Sequence, residues 1–366
     1  MLFTSLVSRT ARLAQARAPS SRVPGAVRKR QATRRLSLER LEERAVLSGG
    51  IVTTAIGNAN YAQALASYLD HSGNIVVAGR TIFTANAGQS YDTALLRYTA
   101  DGALDPAFGN GGVVRTPVTM YSDGAYAAVE YLTNKILLVG YAVNNHLNTD
   151  FALARYTADG SLDTTFGAAG KKSTGTVTTD LGAYDGIMGV VVQPDGKIVA
   201  AGATTSVSNG AQGQLALARY TSTGALDPTF GTNGFLISPL GPQVVWCDRF
   251  NSTQPVVLHD GKILVCGEAP TNGRDFELLQ YNLDGTPDTN FGQDLNGDGV
   301  PDGKVITDFG GRDEAFALAV DKVDNIVVLG NVYRFDPAGG GDCRFGLARY
   351  LPNGTSTPAL ASVGWR

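Results

Sequence analysis

The feature that most constrains this chain is a phrase that keeps returning. Arg97-Tyr98-Thr99-Ala100-Asp101-Gly102-Ala103-Leu104-Asp105-Pro106-Ala107-Phe108-Gly109 recurs almost intact at 155–167 and 219–231, again at 280–292, and begins a fifth time at Arg349-Tyr350. Its five tyrosines (Tyr98, Tyr156, Tyr220, Tyr281, Tyr350) are 58, 64, 61 and 69 residues apart. A second landmark keeps the same step: a turn, then a strand-like run closing on glycine at Gly79, Gly140, Gly202, Gly267 and Gly330. Self-similarity at such a period marks a stack of supersecondary units, none of which buries its apolar faces alone.

One period holds four strand-like runs. In the third unit they are Lys171 to Thr174, Gly186 to Gln193, Lys197 to Gly202 and Gln214 to Tyr220, and Pro194-Asp195-Gly196 joins the middle two. Asp-Gly between β-rich runs is a hairpin signal, because glycine adopts positive φ without strain. Runs such as Ile187-Met188-Gly189-Val190-Val191-Val192 are apolar without alternation, so both of their faces are covered. With 45 glycines and only 17 % charged residues, the chain suits short strands and tight turns. Small four-stranded sheets covered on both faces and arranged around an axis form a propeller. The expectation is an all-β propeller of about five four-stranded blades; a β-solenoid, or a fragment of a larger propeller, is the alternative. The recurrent Phe108, Phe166, Phe230 and Phe291 are expected to anchor one unit against the next.

These pieces resemble the delta-60 repeat family. The match is closest in the third unit, through Gln193-Pro194-Asp195-Gly196-Lys197-Ile198, and covers residues 49–350. The resemblance implies a β-propeller and brings no established activity with it. Units fall at about 49–109, 110–168, 169–231, 232–292 and 303–350, with a tail at 351–366.

Residues 1–48 are a different kind of sequence. The first fifty residues carry eleven basic side chains against three acidic, leaving nineteen against thirty for the rest. Met1 to Arg35 has no acidic residue and no apolar core of secretory type, so it reads as disordered. Ser37 can cap a short helix with Leu38, Leu41 and Ala45 on one face. Leu36, Leu38, Glu39, Leu41, Glu42, Arg44, Leu47 and Ser48 resemble the N-terminal export sequence of planctomycete-type extracellular proteins, which implies an exported, extracellular or cell-surface protein. An ordinary charged helix after a disordered tail is the other reading. No run approaches the length needed to span a bilayer, and the acidic repeat region disfavours nucleic acid.

The most specific chemistry lies in an eight-residue insertion in the fourth unit. Asp294, Asn296 and Asp298 alternate as oxygen donors, Gly299 permits a tight turn, Val300 offers a carbonyl and Asp302 closes the loop, as in a structural calcium site. Val305 stands where an EF-hand would have its bidentate acid, so the loop reads as a short calcium loop or as a solvated turn. Asp123, Asp185, Asp248 and Asp313 recur at one place in the unit. A turn aspartate bonding its own backbone is one account of them, and a ring of acids about an axial channel is the other. Arg97, Arg155 and Arg219 are each followed eight residues later by Asp105, Asp163 and Asp227, a pattern expected to form ion pairs. His71 and His259 lie at the hairpin turn and His146 in an Asn-rich loop, so the three do not converge. Cys247, Cys266 and Cys343 have no metal spacing and read as mostly buried free thiols.

With no catalytic motif in view, the function expected is an exported, non-enzymatic binding or surface-scaffold protein for an unknown protein or carbohydrate ligand. The rival is a hydrolase or lyase whose carboxylates, drawn from several blades, meet at the central channel. Three or more carboxylates converging in a concave funnel, one of them desolvated, would favour the rival, and a flat, turn-lined rim would favour binding.

Overall fold

The computed structural model describes residues 51–357 apart from 57–58, 60, 86–87, 120–121, 133, 168–173, 183, 206–212, 239–242, 245–255, 270, 272–273 and 336–340. The segment that resembles an export sequence, the short helix expected in it, Cys247 and Asp248 therefore lie outside the described residues. The blades belong to one compact unit, Thr54–Arg366.

Blade 1 comprises β1 (Tyr61–Leu69), β2 (Ile75–Ala85), β3 (Gly88–Tyr98) and β4 (Val113–Thr116). Blade 2 comprises β5 (Asp123–Tyr131), β6 (Lys135–Val143), β7 (Thr149–Tyr156) and β8 (Thr176–Thr179). Blade 3 comprises β9 (Tyr184–Val192), β10 (Ile198–Thr205), β11 (Gly213–Tyr220) and β12 (Phe235–Ile237), with the short β13 (Gln243–Val244) also on β11. Blade 4 comprises β14 (Val256–His259), β15 (Lys262–Glu268), β16 (Phe276–Asn282) and β17 (Lys304–Thr307). Blade 5 has three strands, β18 (Arg312–Val320), β19 (Ile326–Phe335) and β20 (Gly341–Tyr350). Each sheet is an antiparallel meander with strands in chain order. A solenoid would instead pair strands of successive turns, so the propeller reading holds. The first strands of neighbouring blades contact one another, which places them on the inside.

Sequence period and sheet are offset by one strand. The run that opens each sequence unit, such as β8, completes the sheet of the blade before it. The offset is locked by a repeated hydrogen bond: the tyrosine ending the third strand bonds a hydroxyl at the end of the preceding blade's fourth strand. The pairs are Tyr156 with Thr116, Tyr220 with Thr179, Tyr281 with Ser238 and Tyr350 with Thr307. In blade 1, Tyr98 donates to Thr54.

The apolar core is divided among the junctions. Leu137, Val139, Phe151 and Phe166 of blade 2 meet Ile187, Ile198, Ala216 and Tyr220 of blade 3, and equivalent layers separate blades 1 and 2, 3 and 4, and 4 and 5. Phe108, Phe166, Phe230 and Phe291 are all fully buried, as expected of anchors. Arg97, Arg155 and Arg219 lie over the first three of these rings at 4.5, 4.5 and 5.0 Å. Their Nε atoms bond Asp105, Asp163 and Asp227 at 2.7, 2.8 and 2.9 Å, and their Nη1 atoms reach carbonyls of the next blade. The repeated Arg and Asp thus clamp blades together. Among the described residues the far face of blade 5 has no such layer. Phe345 is 90 % and Leu347 45 % exposed, although their counterparts Phe276 and Leu278 are buried.

The recurrent glycine of the second strand has a geometric cause. The first strand carries a bulge opposite it, as between Ala125 and Ala127, which drives a carbonyl inward. A Cβ at Gly79, Gly140, Gly202 or Gly330 would lie 1.9, 1.9, 2.0 or 1.9 Å from the oxygen of Gln63, Gly124, Gly186 or Glu314.

Candidate active site

The rim where the first strands begin is acidic, and its acids come from equivalent positions of several blades. Asp123 opens β5, while Asp185 and Asp313 are the second residues of β9 and β18; all three are fully buried. Each accepts amide hydrogen bonds from the loop leading into its strand, Asp123 from Val118 at 2.8 Å, Asp185 from Leu181 at 2.6 Å and Asp313 from Phe309 at 2.7 Å. They therefore fix the entry of the inner strand, as a turn aspartate does. Burial pushes all three carboxyls up, Asp123 to about 7, against the pull of those amides.

Asp185 meets Asp150 and Asp180, and Asp313 meets Asp275 and Asp308, with one carboxylate oxygen of each member within 4.8 Å of the other two. These two acidic clusters have the donors to hold a metal ion.

Blade 4 and its junction with blade 5 depart from the repeat in a chemically pointed way. Glu268 stands where other blades have Arg80, Tyr141, Ala203 and Asn331, and Glu314 where they have Gln63, Gly124 and Gly186. Both are buried. Arg312 Nη2 pairs with Glu314 at 2.5 Å and Arg274 Nη1 lies 3.6 Å from Glu268. Burial first, then the negative charge of Glu314, pushes Glu268 up to about 7 against the pull of Arg274 and Arg312. A carboxyl raised toward neutral pH beside a second carboxyl, each facing an arginine, is the arrangement that lets two acids take opposite roles. Glu277, at a position otherwise Ala94, Ala152, Ala216 or Gly346, is fully buried with neither oxygen hydrogen-bonded. Burial pushes it up to about 8, opposed by Lys304 at 4.0 Å. Reading for motifs passed over all three glutamates. The available signal was an acid at a strand position where sister repeats have small or neutral residues.

The 294–302 loop turns its oxygens on its own amides. Asp294 accepts from Gly297, Asp298 and Gly299, Asn296 from Asp298, Asp298 from Val300, and Asp302 from Leu295 and the Asn296 amide. The loop is exposed apart from the half-buried Pro301 and Asp302. Elsewhere, a cavity of about 220 Å³ at the opposite rim is lined by Tyr68, His71, Arg97, Glu130 and Lys135, with His71 Nδ1 2.7 Å from Glu130. His146 and His259 lie apart from it. Cys266 is buried and Cys343 exposed, both free. No helix among the described residues is long and apolar enough to cross a membrane.

Four stretches, 72–108, 133–166, 193–230 and 259–291, match a family described as a domain of unknown function (DUF5122) beta-propeller. The chain therefore carries the repeats of a propeller family. No curated protein matches it. Solved structures similar to the chain include a β-xylosidase, RS223, at 9 % identity over 82 % of this chain and 98 % of that one, with a TM-score of 0.37. A GH43_1 enzyme from Xanthomonas citri complexed with xylotriose is 10 % identical over 86 % and 95 %, with a TM-score of 0.36. A PL25 ulvan lyase is 11 % identical over 82 % and 71 %, with a TM-score of 0.40. The structures named here are enzymes by their descriptions, and the expectation of a non-enzymatic binding or scaffold protein gives way on the acids of this chain itself. Among the described residues three carboxylates converge at each of two blade junctions, and one of each three is desolvated.

Proposed function

We propose that this chain is a glycan-cleaving enzyme, a hydrolase or a lyase, working with carboxylates on the rim where the inner strands begin. The observation that carries the reading is the Glu268 and Glu314 pair, two buried acids placed where the repeat calls for none and flanked by Arg274 and Arg312. Glu268, held near neutrality, is suited to deliver a proton to a leaving oxygen. Glu314, on the innermost strand, is suited to act as base, and the two arginines can hold an acidic or hydroxyl-rich substrate. Paired carboxylates are the usual equipment for opening a glycosidic bond.

The same reading includes export by residues 1–48 and structural calcium in the loop of Asp294, Asn296, Asp298, Val300 and Asp302. The test is turnover by the purified chain on xylan, arabinan, mannan and ulvan. Reducing ends report hydrolysis, and an unsaturated, ultraviolet-absorbing product reports elimination. Glu314→Gln and Glu268→Gln should each lower kcat by about 10²–10⁴-fold. A folded chain that turns over none of the panel, or whose activity survives both substitutions, would sink the proposal.

A further inference from the structure

The two aspartate triads occupy equivalent places. Asp150 and Asp275 lie at the start of a third strand, Asp180 and Asp308 directly follow a fourth strand, and Asp185 and Asp313 begin the first strand of the next blade. Each triad thus spans a blade junction, 2 to 3 and 4 to 5. In each, the innermost member is fully buried and its Oδ1 has no hydrogen-bond donor. The Thr204 hydroxyl lies near enough to Asp185 to favour its charged form but does not complete a hydrogen bond to that Oδ1.

The junction between blades 1 and 2 supplies an internal control. Pro117 replaces the middle aspartate there, and Asp92 is neutralised by Arg115. At that junction the inner Asp123 is satisfied on both oxygens, Oδ1 by the Thr93 amide at 2.9 Å and Oδ2 by the Val118 and Thr119 amides. The unsatisfied oxygen therefore appears where three aspartates converge and is absent where the third is missing. The junction between blades 3 and 4 has Gln214 and Pro239 at the corresponding sequence positions.

Three carboxylates within 4.8 Å repel strongly when two are buried, and an oxygen left without a donor costs a further desolvation penalty. A cation removes both costs. We propose that two hard divalent cations of the calcium class bridge the blade junctions, one held by Asp150, Asp180 and Asp185 and the other by Asp275, Asp308 and Asp313. An all-oxygen, carboxylate-rich set selects a hard ion over zinc or copper, and side chains from three separate strand ends suit the larger, more tolerant calcium better than magnesium. Their role is to staple neighbouring blades. The inference concerns residues other than the glutamate pair and does not rest on the proposed enzymatic activity.

The test is calcium titration of the full chain, stripped with chelator, by calorimetry, with thermal unfolding in parallel. The exposed members are replaced first, since Asp180→Asn and Asp308→Asn leave the core untouched. Each should remove one calcium, and the double variant two, from sites of about 10⁻⁴–10⁻³ M affinity. Asp298→Ala, in the 294–302 loop, and Asp123→Asn should leave these two sites intact. Each triad variant should also unfold at a higher temperature than the stripped wild type without calcium, because a repelling charge has gone, while losing its share of the calcium-induced rise. Undiminished calcium stoichiometry in the double variant, or a wild type that binds no calcium at millimolar concentration, would overturn the inference.

Discussion

Replacing Glu277 by glutamine should stabilise the protein, and by an amount that depends on pH. The carboxyl is fully buried, has no hydrogen-bond donor on either oxygen, and faces a single lysine ammonium 4.0 Å away. Burial raises it from 4.5 to about 8 in the folded chain. Below the unfolded value both states hold the proton and pH has no leverage. Between that value and about 8 the unfolded chain ionises freely while the folded chain keeps its proton, so stability falls as pH rises, and above about 8 it levels off. At about 1.4 kcal/mol per unit, the accumulated loss approaches roughly 5 kcal/mol, an upper figure since water entry and relaxation reduce it. Glutamine, nearly the same shape, carries no such loss. Urea unfolding of wild type and Glu277→Gln from pH 5 to pH 9 should show little difference at the acidic end and a gap of a few kcal/mol, in favour of the variant, at the basic end. A gap independent of pH, or a wild type more stable at pH 9, would show that the ionised glutamate is well held by Lys304 and that the reasoning fails.

Gly202→Ala places a Cβ 2.0 Å from the Gly186 carbonyl and should cost roughly 3 kcal/mol or more in chemical unfolding; a near-neutral result would mean that the bulge relaxes freely. Phe276→Ala and Phe345→Ala alter the same repeat position in opposite surroundings, so the first should cost about 3–5 kcal/mol and the second little. Equal costs would mean that the outer face of blade 5 is covered in solution. The Cys266 thiol is buried and pushed up to about 12, so a thiol reagent on the native protein should label Cys343 at once and Cys266 only on unfolding, as mass spectrometry of the labelled peptides would show.

The parts of this molecule that obey the repeat were legible in its sequence. Tyr156, Phe166, Arg155 and Asp163 return with their period and prove to be core, anchor and ion pair. Strand assignment to blades was less legible, because a period has no natural starting point and the Tyr156 to Thr116 bond that fixes it joins residues 40 apart. The aspartate triads were half visible. Asp185 and Asp313 recur in phase, but their convergence with Asp150 and Asp275 depends on strand pairing that no spacing shows. Glu268, Glu277 and Glu314 escaped because a search for recurrence averages away the residue that occurs once. Their burial is a property of the neighbouring blade, not of their own local pattern.

The apolar interior of this fold is a series of separate layers, each shared by two adjacent blades. Damage therefore travels only one junction in either direction, and so does innovation. A lineage can rewrite the contact between blades 4 and 5, exchanging small side chains for acids and arginines, while the clamps at other junctions continue to hold their neighbours in register. Chemistry in such a chain is acquired seam by seam, and the seam that departs furthest from its sisters is the place to look for it.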